Sequence, residues 1–294
     1  MLIASATAIG FLLAGCSSGT TAVIGVPSSA SPVNEQPVNS IDTAINLAIV
    51  AELAQATQTA SDGSPALVQV ELNALTSTKA LAQYEAFSAL QAIAANQIAK
   101  REGLVNALIA DVKGNKYLSG IEPAGRSLSG SLLSILGGVD GRLSALAVKI
   151  ATDSLPDVLR SDVVGIGPSS RVAGVYEPMT HLAIAGGDEL YELGLLSSQQ
   201  QKLAGEVATG LGSDPNYAQE APRLSDLATS IASARATINA ALGAVMSLSP
   251  GGYPANKATI VSVRTALIQL RTPLGKIGEA NADANAIVDL LASR

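Results

Sequence analysis

The chain has 294 residues, 48% hydrophobic and only 14% charged, with 3% aromatics, so its apolar content comes mainly from Ala, Leu, Val and Ile and suits helices packed closely through small side chains. A net charge of −6, with the 18 basic residues scattered singly, argues against a nucleic-acid surface, which needs clustered Lys and Arg. One Cys and one His exclude a disulfide framework, a multi-cysteine or iron–sulfur site, and any two-histidine metal site within a single chain.

Residues 2–14 form an uncharged, mostly apolar run. It is too short for the roughly 20 residues of a membrane-spanning helix and suits the core of a secretion signal. The run ends in Leu13-Ala14-Gly15-Cys16, and these four residues resemble the lipobox of bacterial lipoproteins, in which the cysteine thiol is lipidated and the signal is cut just before it. Small Ala14 and Gly15 suit a peptidase cleft, the cut falls between Gly15 and Cys16, and a thiol is the nucleophile that a lipid transferase alkylates. The resemblance implies that residues 1–15 are a removable signal. It also implies that Cys16 carries a diacylglycerol and an N-acyl chain, with no other cofactor expected. Three acyl chains exceed the two signals that stable anchoring takes. Ser17, where inner-membrane lipoproteins carry Asp, implies the outer membrane in a Gram-negative cell; otherwise the anchor sits on the outer face of the cytoplasmic membrane. Residues 16–40, the lipidated Cys and a stretch rich in Ser, Thr, Pro and Gly, read as a flexible tether reaching about 25 to 30 Å.

From residue 41 to the last, helical spacing predicts a single all-α domain, an elongated antiparallel bundle of long amphipathic helices. A first helix over residues 41–60 carries Ile41, Ile45, Ile49 and Leu53 on one face. A second starts at the Ser64 cap and Pro65 and runs to about Lys113, with Gly103 as a bend. The third has the stripe Leu128, Leu132, Ile135, Val139, Leu143, Leu146 and Ile150, and its Gly137, Gly138 and Gly141 predict close helix contact or a local break. Val163, Val164, Ile166, Val172 and Val175 among Gly, Pro and Ser predict an irregular or short hairpin insertion near residues 162–177. Pro178 opens a shorter helix to about Gly210. Leu224 to Val245 repeats the helical stripe, and a last segment from Ile260 to Leu291 keeps a seven-residue rhythm, with Leu274 and Asn281 on the seam and Pro273 as a kink.

Chemistry-bearing residues are few. His181, with Glu177 and Met179 one turn or less away, offers a conceivable ligand set, balanced against a structural histidine. Gly165 to Ser170 lacks the Lys and the further Gly of a phosphate loop. Gly125-Arg126-Ser127-Leu128-Ser129 lacks the last Gly of a hydrolase elbow and reads as a helix start. Asp188, Glu189 and Glu192 read as a solvated acidic face. Tyr176, Tyr191, Tyr217 and Tyr253 are candidate contacts for a ligand or partner. The leading functional expectation is a non-enzymatic, lipid-anchored bundle that binds or spaces envelope components, held to the membrane by its lipid and partnered by an envelope protein or a second copy of itself. A small-molecule or metal-binding lipoprotein using residues 162–195 is the alternative, and an enzyme centred on His181 comes third.

Overall fold

The computed structural model describes residues 80–210 and 220–292, with single positions 73 and 218, and every regular element within them is helical. These are α1 (Ala80–Gly114), α2 (Leu128–Thr152), α3 (Pro156–Ser170), α4 (Glu177–Gly210), α5 (Glu220–Met246), α6 (Asn256–Leu270) and α7 (Lys276–Ala292). The all-α bundle is the fold that the periodicity predicts. Gly15, Cys16, the tether, the 41–60 helix, the helix start at residues 64 and 65, and Tyr217 lie outside the described residues.

Two helical sets meet along α4. In the first, α1 buries Leu90, Ala94, Ile98, Val105, Leu108 and Val112 down one face, a stripe of helical period. The helix runs through Gly103 without interruption. Antiparallel α2 lies against it: Gln91 Nε2 donates to the Ile150 carbonyl at 2.9 Å and Ser144 Oγ to Glu102 Oε1 at 3.0 Å, while α3 packs on both helices. In the second set, α5 packs on α4 and α7 packs on α5, where Ser230 Oγ donates to Glu279 Oε2 at 3.4 Å.

Ser127 caps α2, its Oγ accepting the Gly130 N–H at 3.1 Å, so the Gly125–Ser129 stretch is a helix start as read. The glycines of α2 depart from expectation. Gly137, Gly138 and Gly141 are exposed inside an unbroken helix, and a Cβ on Gly137 or Gly141 would meet nothing within 4 Å. By length and composition α2 is apolar enough to cross a membrane. Its stripe Leu128, Leu132, Leu136, Val139, Leu143 and Ile150 is, however, buried inside the bundle, and it carries Asp140, Arg142 and Lys149.

The hairpin near residues 162–177 is replaced by helix. Leu159, Val163 and Ile166 are buried at spacings of four and three, the helical period, while Val164 is exposed. Burial of that stripe outweighs the low helix propensity of Gly165 and Gly167, and Pro156 sits where a helix accepts proline. What remains irregular is short: Arg171 adopts the left-handed conformation (φ 38°, ψ 39°) and Val172–Tyr176 form a π turn leading into α4. The Arg171 guanidinium lies 4.5 Å from the centre of the Tyr253 ring, a cation–π contact that offsets part of that strain.

The Pro273 kink is a full break, with α6 ending at Leu270 and α7 starting at Lys276. The seam runs Ile260, Val263, Leu267, Leu270 and resumes at Ile277, Ala280, Ala284, Ile287. Leu274, expected on the seam, is 89% exposed because it lies in the break, and Asn281 is only half-buried beside Ala280. The turn requires Gly275, since a Cβ there would collide with the carbonyl oxygens of Gln269 and Leu270, which are backbone and cannot rotate away. Gly275→Ala is therefore expected to cost about 1 to 3 kcal/mol. Gly141→Ala on the open face of α2 should instead gain up to about 1 kcal/mol from helix propensity. Urea midpoints moving in opposite directions would bear this out.

Candidate functional site

Most helices of a bundle keep one face in water. The first half of α4 does not: every residue from Pro178 to Leu190 is buried, and so are Glu192 and Leu193. On one side lie the α1–α2 loop and the start of α2. A Cβ on Gly187 would collide with Leu118 and come within 2.9 Å of Leu128. On the other side is α5, where a Cβ on Gly186 would stand 2.9 Å from Leu242. The two glycines let both sets approach the same stretch of helix. This stretch is the joint of the molecule.

Inside the joint are three carboxylates. Asp188 and Glu189 are 0% exposed and Glu192 is 2% exposed, which overturns their reading as a solvated face. Asp188 is tied to the first helical set. Asn115 Nδ2 donates to its two oxygens at 2.9 and 3.2 Å, while Asn115 Oδ1 accepts the Tyr117 and Leu118 N–H groups at 2.8 and 3.2 Å. Glu192 is tied to the second set, its Oε2 accepting from Arg271 Nη1 at 2.7 Å across from the α6–α7 break. Glu189 lies between them in sequence, and both of its oxygens are buried without a hydrogen-bond partner. Burial pushes the Glu189 carboxyl up to about 8; Arg271 draws it partly back, and Glu192 and Asp188 raise it again. The burial thus favours the protonated, neutral form well above the ordinary carboxyl range.

The residues singled out in the sequence fall into two places. Tyr176, Glu177, Met179 and His181 gather where the π turn enters α4. Tyr176 is buried and its hydroxyl accepts from Arg142 Nη2 at 3.2 Å; Met179 and His181 are core residues at 0% and 2% exposure. Glu177 has one buried oxygen without a hydrogen bond, and burial raises its carboxyl pKa against the opposing influence of His181. Tyr191 stands about 20 Å further along the helix axis. It packs on Tyr117 with ring centroids 5.2 Å apart, so it belongs with the carboxylate end of the joint and not with the His181 group. Tyr253 lies under Arg171 and Lys257. Among the described residues, no three His, Cys, Asp or Glu side chains converge so as to hold a metal ion.

The buried row was missed because Asp and Glu are ordinarily exposed. A signal was present: Leu182, Ala183, Ile184, Ala185, Gly186 and Gly187 run without a polar interruption, which marks a helix buried all round. Carboxylates one turn away on such a helix share its burial. Comparison with protein-family models, curated proteins and solved structures finds no match.

Proposed function

We propose that the protein is a lipid-anchored lipoprotein of a bacterial cell envelope whose helical unit binds or spaces other envelope components without chemistry of its own. The observation that carries this reading is Leu13-Ala14-Gly15-Cys16 at the end of an uncharged apolar run, followed by a polar stretch without helical period. Small residues before a thiol are what lipidation and cleavage need, and the following residues have the composition of a tether. The helical unit suits a spacing role. α1 and α4 have 35 and 34 residues, rods of about 50 Å each, and α1 ends where Asn115 reaches Asp188, well along α4.

The test is metabolic labelling with palmitate in a bacterial host that processes lipoproteins, followed by membrane fractionation. The full chain should take up label and sediment with membranes, and Cys16→Ser should lose the label and keep the uncleaved signal. An unlabelled, soluble wild-type chain would refute the anchoring. Partner capture by crosslinking in native membranes then identifies what the bundle binds.

A further inference from the structure

We propose that the cleft between the two helical sets, with α2 as one wall and α5 as the other, binds a long-chain carboxylate. The proposal does not rest on the lipid anchor. Leu128 of α2 and Leu242 of α5 reach the neighbouring glycines of α4, Gly187 and Gly186, through which both sets approach the joint. The same two leucines line a hollow of about 880 Å³, within the size range of small-molecule sites. Residues three and four apart supply each wall, Ser131 and Ile135 from α2 and Asn239, Gly243 and Met246 from α5, so one face of each helix is turned to the hollow.

The lining sets the chemical class of the occupant. Leu128, Ile135, Leu242 and Met246 are aliphatic, and no aromatic ring lines the hollow among the described residues, so it offers contact to a flexible hydrocarbon chain and no platform for a flat ring. Arg126 is the only charged residue among those lining it, in a chain of net charge −6. Its guanidinium has no ion-pair partner among the described residues. Asn239 also lines a second hollow of about 630 Å³ between α4 and α5, where the only charged lining residue is again an arginine, Arg235. Among the described residues neither hollow has an Asp or Glu in its wall, and the cleft therefore favours an anion.

A single guanidinium suits a carboxylate, which presents two oxygens to its planar fork and carries one charge. A phosphate monoester carries nearly two charges and would call for a second cation in the same hollow. Room for the chain lies over α5, because Gly243 is exposed and a Cβ there would meet nothing within 4 Å. A chain lying in the cleft touches α2 and α5 together, so occupancy ties one helical set to the other across the joint.

Photolabelling of the full chain in nanodiscs of zwitterionic lipid tests this, with dodecanoate carrying a terminal diazirine as the probe. Adducts are expected to concentrate on residues 128–135 and 239–246. Unlabelled dodecanoate should compete, whereas dodecanol and dodecyltrimethylammonium at the same concentration should not. Arg126→Gln should lower the labelling about tenfold or more, the loss of one charge-assisted pair. Gly243→Leu fills the open space at a position where leucine favours the helix, so labelling should disappear while circular dichroism and thermal unfolding show the fold retained. Adducts spread evenly along the chain, equal competition by dodecanol, or labelling that survives either substitution would each overturn the proposal. Mass photometry showing a dimer that Gly243→Leu separates would assign the cleft to a second copy and overturn it as well.

Discussion

Glu189→Gln is expected to flatten the pH dependence of global stability. The wild-type carboxyl is held up to about 8 in the folded chain against an ordinary 4.5, so between those values the folded state keeps a proton that the unfolded state has lost. Stability must then fall as pH rises, by about 1.4 kcal/mol per unit, or about 4 kcal/mol from pH 5 to pH 8, and level off above the folded value. The effect dies away as pH falls below 4.5, where the unfolded state is protonated as well. Burial also raises Glu177 and Asp283, which act in the same direction, so the variant should retain a shallow slope. Urea unfolding at pH 5, 6.5 and 8 checks this, and parallel curves for wild type and variant would count against the buried acid.

Removing Arg271 should be the most damaging single substitution at the joint. Arg271→Met leaves the Glu192 carboxylate, 2% exposed, without the donor now 2.7 Å away. Breaking a buried pair from one side costs about 3 to 5 kcal/mol. Arg271 is itself 18% exposed at its side chain, which places the expected loss near about 3 kcal/mol. The double substitution Arg271→Met with Glu192→Met should recover most of that loss, because two apolar side chains need no partner. A double-mutant cycle in urea measures the difference. Arg271 also draws Glu189 down, so its loss should extend the falling limb of the stability curve to higher pH. The two experiments thus test one coupled cluster from opposite ends.

Much of the fold was legible because a helix stripe is a long-range repeat that survives local noise. The spacing of Leu224, Leu227, Ile231, Ala234, Ile238, Leu242 and Val245 predicts one face, and all seven are buried. Ser127 and Pro178 mark helix starts in the sequence because capping chemistry is local, and Ser127 caps α2 while Pro178 is the second residue of α4. The stretch from Asp162 to Tyr176 was misread because β-branched residues among glycines look like strand, and nothing local shows that Val163 and Ile166 continue the stripe begun by Leu159. Gly137, Gly138 and Gly141 illustrate the opposite error. A small residue permits a close contact, but whether another helix arrives is decided elsewhere in the chain. The site was the least legible part. Asp188, Glu189 and Glu192 came from one short stretch, yet their partners Asn115 and Arg271 lie 73 and 79 residues away in sequence, and a pairing of that span leaves no periodic trace.

The enclosure of α4 from Pro178 to Leu190 also has a consequence for how this sequence can change over time. Elsewhere each helix has an outer side on which substitutions meet only water, so drift there is nearly free. Within the enclosed stretch no position has such a side. A larger residue at Gly186 or Gly187 would meet Leu242, Leu118 or Leu128, and a smaller one at Leu182 or Ile184 would open a void, so neutral change needs a matching change on a neighbouring helix. The middle of the chain is thereby its evolutionary bottleneck, and variation should enter from the outer faces and leave this segment until last.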